Sequence, residues 1–396
     1  VSAGGGPDIR AIPPEDYAAA QAVTREAFGG PADPVGDARW FASLDHSYPL
    51  GAYDGGRVVS FARVKPYAQW FGGRAVPMGG VASVAVAATH QRRGLARATV
   101  AATLPVLREH GFAVSALFPA TAPLYRGLGW ELAGDHVWLD VPGALLRGLG
   151  PVDGVTLRPA TAGDLPGVLA AYRRLARETN GMLERSGPFF DLRPESMLAV
   201  DSFLVAEGAG GVEGYAIAER RNAGHDVAVT AWDVVATTPA AERAVWFALG
   251  AGSSTARTVR AKALPDPLAL LLAEPEVRVH EHLRWMLRLV DAPAAVAARG
   301  WPAGLRAQVD LDVADGQVAG NDGRWRLAVE DGAGTLTRGG DGGVALGVGA
   351  LSALYAGYTD PRTLRRAGLL SGGDERALDT LATITAGQRP RLLDYF

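Results

Sequence analysis

Residues 84–97, Val-Ala-Val-Ala-Ala-Thr-His-Gln-Arg-Arg-Gly-Leu-Ala-Arg, constrain the fold of this chain more than any other stretch. An apolar strand over Val81–Val86 runs into Gln91-Arg92-Arg93-Gly94-Leu95-Ala96, and an Ala-rich helix over Arg97–His110 follows. A glycine with small neighbours at such a junction lets backbone N–H groups converge on one point. The N-terminus of the helix adds partial positive charge there. Two arginines beside it suit an anion further, so the junction fits a pyrophosphate. Neither GxxxxGK[ST] nor a GxGxxG after a strand occurs, which leaves a P-loop and a Rossmann site unsupported. The bland reading of the same residues is an ordinary strand-to-helix turn that happens to be basic.

Upstream, Ile9-Arg10-Ala11-Ile12 reads as a strand, and Pro-Pro-Glu-Asp opens a helix through Ala18 to Phe28. Leu50–Tyr53, the turn Asp54-Gly55-Gly56 and Val58–Val64 form a hairpin, and Ala113–Phe118 is the strand after the Ala-rich helix. A second segment repeats this order. Leu157-Arg158-Pro159-Ala160 with Asp164 echoes the start, Phe203–Glu207 and Val212–Ala218 echo the hairpin, and Val234–Thr238 stands where Ala85–Thr89 stood. There, however, Ala241, Glu242 and Arg243 take the positions of Arg92, Arg93 and Gly94. Without the glycine, and with a glutamate that repels phosphate, the copy is expected to have lost its cofactor. A third segment starts around Trp285–Asp291. It places short strands at Leu305–Val313, Arg324–Glu330 and Gly334–Arg338 before helical patterns at Val348–Ala356, Pro361–Arg366 and Glu375–Thr383. The expectation is an α+β (mixed α/β) chain divided at 1–150, 151–285 and 286–396.

Composition narrows the function. At 396 residues with 48% hydrophobic and 20% charged residues, the chain reads as globular with several domains. A net charge of −3 provides no global basic field for nucleic acid or anionic membrane. The absence of cysteine removes thiol nucleophiles, disulfides and thiolate metal sites together. No run of roughly 18 apolar residues is present. Val1–Pro7 lacks the basic start of a signal peptide, so a cytoplasmic location is expected. Lys65 and Lys262 are the only lysines, in keeping with the Ala, Gly, Pro and Arg load of a GC-rich genome. Among the histidines, His90 reads as a structural cap. His280 and His282 alternate in a strand without a third ligand, so no metal is expected.

Several motifs belong together: Ser83-Val84-Ala85-Val86 running into His90–Leu95, Tyr125-Arg126-Gly127-Leu128-Gly129-Trp130, Met286-Leu287-Arg288-Leu289-Val290-Asp291, and the final Phe396. As a set they resemble the Eis (enhanced intracellular survival) family of GCN5-related N-acetyltransferases, abbreviated GNAT. The resemblance implies tandem GNAT domains, the second degenerate, followed by a domain similar to sterol carrier proteins. It implies acetyl-CoA as co-substrate and a homohexamer that acetylates small polycationic amines such as aminoglycosides, often at several positions. By position, the backbone of Val84, Ala85 and Val86 pairs with the pantetheine arm. Arg92, Arg93, Gly94, Leu95, Ala96 and Arg97 hold the pyrophosphate, and Ala120 and Thr121 border the thioester. The acceptor pocket is walled by Phe28, Arg39 and Trp40, with Asp33, Asp37 or Asp394 as sources of negative charge. Gln91 departs from the family pattern where some members are basic, which softens the phosphate clamp; Phe118 and Ala120 replace polar pocket residues, which leaves the acceptor preference open.

Direct transfer from a thioester to an amine needs a neutral amine, donors for the developing oxyanion and a proton for the departing thiolate. It needs no covalent enzyme intermediate, which fits a chain without cysteine. Tyr125 is the candidate general acid, since a phenol of pKa about 10 can donate to a thiolate whose parent pKa is about 8.5. Its bland alternative is a packed aromatic at a helix start. The resemblance makes the α-carboxylate of Phe396 the base. At a pKa of about 3.5 that group is weak unless burial raises it. C-termini are commonly frayed, but Leu392, Leu393 and Tyr395 are available as anchors. Two other readings are acetylation of protein lysines or N-termini, and lipid carriage by the third domain. The Asp, Gly and Arg content of that domain offers no continuous apolar lining for a lipid.

Overall fold

The computed structural model describes residues 7–29, 33–223, 226–251 and 255–396, so Val1–Gly6, read above for targeting, lies outside it. The chain forms two compact units. One comprises Val1–Gly134, Arg284–Pro390 and Phe396; the other comprises Asp135–Leu283 and Arg391–Tyr395.

The first unit begins with β1 (Asp8–Ala11), α1 (Tyr17–Phe28), α2 (Pro34–Leu44), β2 (Tyr48–Asp54), β3 (Arg57–Phe71) and β4 (Arg74–Val86). After these come α3 (Leu95–Ala101), α4 (Thr103–Glu109), β5 (Val114–Leu117) and α5 (Ala122–Arg126). Strands β1 to β5 lie side by side in chain order. Beyond β5 comes the strand Arg278–Leu289, whose Met286 pairs antiparallel with Leu117. Among the described residues of β1 to β5, only β4 and β5 run parallel, through Met78–Val114, Gly79–Ser115 and Gly80–Ala116.

Alternation along β3 separates two faces. Phe61 packs with Ile12, Ala20, Val23 and Leu44 on the side of α1 and α2. Val64 packs with Val100, Leu104, Leu107 and Trp130 on the side of α3 and α4. Arg63, Lys65 and Tyr67 continue the Phe61 row. The hairpin expected to end at Val64 therefore runs on to Phe71 and returns at Gly72-Gly73. The charged residues and Pro66 disguise that extension. The expected helix over Arg97–His110 starts earlier, at Leu95, and is interrupted at Ala102, where the Thr103 hydroxyl donates to the Val100 carbonyl.

The second unit contains β6 (Glu131–Pro142, from Asp135 on), β7 (Thr156–Pro159), β8 (Ser202–Gly208), β9 (Gly211–Ala223), β10 (Asp226–Ala236) and β11 (Thr258–Lys262). They order as β6-β11-β10-β9-β8-β7, and again one neighbouring pair, β10 with β11, is parallel. The junction after β10 differs from the one after β4. Only residues 237–238 separate strand from helix, against 87–94 in the first unit, and the Thr238 hydroxyl caps the helix Pro239–Leu249 by accepting from the Ala241 amide at 3.2 Å. Ala241, Glu242 and Arg243 are thus helical residues rather than a loop, and Glu242 accepts from the Trp246 indole at 2.8 Å.

The remaining strands are β12, the strand Arg278–Leu289 already met, and β13 (Arg306–Ala314), β14 (Gly323–Glu330), β15 (Ala333–Arg338), β16 (Val344–Gly347) and β17 (Leu370–Gly372). The last five form a separate sheet ordered β15-β14-β13-β16-β17. Within the first unit, Arg288 on β12 is fully buried. Its guanidinium donates to both Asp315 oxygens at 2.8 Å and to the Leu128 carbonyl at 2.6 Å. Removing one partner of such a pair strands the other charge. Asp315→Ala is therefore expected to cost about 3–5 kcal/mol, read as a lower urea midpoint. An unchanged midpoint would show that the pair contributes nothing.

Candidate active site

A single insertion in β4 creates the site. Phe61 pairs with Ala85 but Arg63 with Ala82, so Ser83 and Val84 together face Ala62. Ser83 takes the left-handed conformation, φ 56°, that such a bulge requires. The bulge bends β4 away from β5. From Val81 to Val86 the strand pairs with β3 alone among the described residues. The edge formed by Val84, Ala85 and Val86 faces the resulting split.

That edge leads directly to the basic junction. Arg92 is left-handed at φ 62°, and Gly94 caps α3 at φ 76°. A Cβ on Gly94 would touch nothing, so the dihedral and not space demands glycine; any other residue costs about 1–2 kcal/mol there. The first intrahelical bond runs from Ala98 N–H to Gly94 at 3.0 Å. The amides of Leu95, Ala96 and Arg97 therefore project from the helix end, beside the exposed Arg92 and Arg93. The Arg97 guanidinium turns elsewhere and donates to the Gly127 carbonyl at 2.9 Å, tying α3 to the end of α5. His90 is pinned between Thr89 Oγ1, 2.8 Å from its Nδ1, and Asp54, 3.0 Å from its Nε2.

Ala120 and Thr121 are exposed and lead into α5, which carries Tyr125. Tyr125 packs with Leu104, Leu128 and Trp130, on the same side as α3. Burial alone pushes its phenol up to about 12. Phe396 lies on the opposite face, where its ring meets Tyr67 at 5.2 Å and Phe118 at 5.6 Å between centroids. It also covers Gly80, the last residue of β4 paired with β5. A Cβ there would lie 2.8 Å from the Phe396 ring.

Of the expected acceptor residues, Phe28 is exposed at the end of α1 and Arg39 is exposed on α2. Trp40 packs against Phe61 at 5.7 Å, beneath the Arg63 guanidinium at 5.5 Å. Each expected source of negative charge already has a partner. Asp33 caps α2 by accepting from Val35 N–H at 3.1 Å, and Asp37 takes Arg25 through both oxygens at 2.7 Å. Asp394, in the second unit, is bound by Arg185 at 3.1 Å. His280 and His282 also sit against carboxylates, Asp140 and Asp135 respectively. Among the described residues no three His, Cys, Asp or Glu side chains cluster as metal ligands.

Sequence reading missed Arg63, Tyr67 and Gly80 as site residues. The period-two row beginning at Phe61 was the available signal.

Comparison with known proteins accords with this geometry. Two acetyltransferase (GNAT) domain models match residues 8–133 and 181–289, and a sterol carrier protein domain model matches 292–393. An uncharacterized N-acetyltransferase of Streptomyces griseus is 30% identical, with 98% of this chain and 99% of the relative covered. The N-acetyltransferase Eis of Mycobacterium tuberculosis is 28% identical over 86% of each chain. Among solved structures, a GCN5-related N-acetyltransferase from Kribbella flavida superposes with a TM-score of 0.86 at 35% identity, over 98% of this chain and 99% of that one. Eis1 from Mycobacterium abscessus superposes at 0.79 with 25% identity, covering 98% and 100%. The fold is that of an N-acetyltransferase with tandem GNAT domains and a sterol-carrier-like domain. The chain belongs to the GCN5-related N-acetyltransferases, and it is similar to the Eis proteins among them.

Gly80→Ala should displace the Phe396 ring, because the ring rather than the backbone has room to move. Because the added methyl also crowds Tyr67, the variant is expected to lose about 1–3 kcal/mol of stability, while turnover falls and acetyl-CoA affinity holds. Full activity in the alanine variant would show that the ring need not sit there.

Proposed function

We propose that this enzyme moves an acetyl group directly from acetyl-CoA to the primary amine of a small acceptor. The observation that carries this is the unpaired edge of β4 ending in the left-handed Arg92–Gly94 turn. An extended edge offers amides and carbonyls to an amide-bearing pantetheine arm. The turn and the amides of Leu95, Ala96 and Arg97 offer donors to a pyrophosphate. In this reading Val84, Ala85 and Val86 line the arm, Arg92 and Arg93 flank the phosphates, and Ala120 and Thr121 border the thioester. Arg97 contributes through its amide, since its guanidinium is committed to Gly127.

Cofactor and acceptor approach from opposite faces and meet in the split. Tyr125, on the cofactor side, serves the departing sulfur. Passing a proton from a phenol at about 12 to a thiolate at about 8.5 is uphill by roughly 5 kcal/mol. Its contribution is therefore a hydrogen bond that strengthens while charge builds on sulfur; the proton it yields to the thiolate as the intermediate collapses is replaced by the one the acetylated nitrogen sheds. The α-carboxylate of Phe396, on the acceptor side, takes the proton that the ammonium must shed. Phe28, Arg39 and Trp40 wall the acceptor entrance. For the polycationic acceptor implied by the resemblance, this face offers Asp37, already committed to Arg25, and Asp33, which caps α2. Domains at 1–150, 151–285 and 286–396, a cytoplasmic location and a homohexamer complete the reading. No described helix is long and apolar enough to cross a membrane.

Tyr125→Phe should lower kcat about 10²-fold or more while acetyl-CoA affinity stays within twofold. Because the raised phenol pKa keeps Tyr125 protonated well above neutrality, wild-type kcat should show no alkaline loss below about pH 10 that the Phe variant lacks. Deleting Phe396 alone should abolish turnover with acetyl-CoA binding intact, measured by calorimetry. Turnover surviving that deletion would remove the carboxylate from the mechanism.

A further inference from the structure

The acceptor face contains a buried cation without a counter-charge. Arg63 is 6% exposed, and its Nη1 donates to the Ser43 hydroxyl at 2.6 Å. Its Nε is buried without a hydrogen-bond partner, and among the described residues no carboxylate pairs with its guanidinium. A guanidinium holds a carboxylate or phosphate through charge-assisted hydrogen bonds. The Trp40 ring lies 5.5 Å from the guanidinium carbon and supports it from below. Burial lowers the Arg63 pKa to about 10, so the group remains charged at neutral pH. An unpaired buried charge is costly to keep, which directs attention to a partner that arrives with the acceptor.

Its position relative to the reaction is fixed by the sheet. Arg63, Lys65 and Tyr67 alternate along one face of β3, and Lys65 pairs in register with Gly80, the residue beneath the Phe396 ring. Two residue steps along a strand are about 7 Å, so Arg63 stands about that far along the trough from the level of Phe396. The pKa of Lys65, between them, is lowered to about 7 by burial and by the neighbouring Arg63, so it carries only part of a charge at neutral pH.

Resting on the acetyl-transfer reading above, we propose that Arg63 is the specificity-determining residue of the acceptor site. It would bind an oxyanion of the acceptor through its guanidinium while the amine lies near Phe396. The acceptor class is then an amine carrying a carboxylate or phosphate about 7 Å away, and not a simple polycation.

The test compares kcat/KM for acetylation of ε-aminocaproate, aminopentyl phosphate and cadaverine by the full-length enzyme. These acceptors share a primary amine on a similar alkyl chain and differ at the far end. Wild type is expected to prefer at least one oxyanion-bearing acceptor over cadaverine by tenfold or more. Which of the two leads identifies carboxylate or phosphate as the recognised group. Arg63→Met should raise KM for that acceptor at least tenfold and reverse the preference toward cadaverine, and Arg63→Lys should restore it in part. Equal use of all three acceptors, or a wild-type preference for cadaverine, overturns the proposal without touching acetyl transfer. The wild-type comparison decides even if the Met variant fails to fold. No turnover of any amine, together with no heat on titrating acetyl-CoA, overturns acetyl transfer and this assignment at once.

Discussion

Three residue pairs of parallel sheet, ending at Gly80, are what the rest of the first unit is arranged around. If β4 and β5 stayed together, the sheet would be continuous and each strand's amides would satisfy the other's. One extra residue at Ser83-Val84 diverts β4, and six residues of its edge become available along a line that ends at Gly94. The sheet then separates Tyr125 and the α3 terminus on one side from Phe396, Arg63 and Trp40 on the other.

The basic junction was the most legible part of this arrangement. Gly94 and its arginines announce a left-handed turn before a helix, and a turn of that kind has few uses besides binding an anion. The duplication was legible too, because hairpins and capped helices recur in order. The acceptor side was harder. Arg63, Lys65, Pro66 and Tyr67 break the apolar alternation expected of a half-buried strand, so they read as the end of a hairpin. They break it because that stretch of β3 faces a site rather than a helix. The Arg97 side chain also departed from expectation, since nothing in the local sequence reveals that Gly127 will lie opposite it.

In the second unit the same strand order has been put to other uses. The parallel pair of β10 and β11 ends at Ala231–Ala261, and a bulge follows before Asp233, as in the first unit. Here the space beyond the bulge is filled by protein. Arg185 is bound by Asp233, Tyr215 and Asp394, and Tyr172 donates to Asp394 at 3.0 Å. Nearby main-chain bonds hold Leu392 to Asp135 at 3.0 Å and Arg391 to Asn180 at 2.8 Å. The face that corresponds to the acceptor side of the first unit is here occupied by residues of the segment Arg391–Tyr395.

The tight cap at Thr238 bears on whether such a change can be undone. Exchanging Glu242 or Arg243 for glycine would only weaken a helix, because both are already wound into its first turns. Regaining a ligand there requires an insertion between strand and helix, and every intermediate length would lose the cap before it gained a grip. The duplicate is held in its supporting role by the geometry of a missing loop, so point mutation alone offers it no way back.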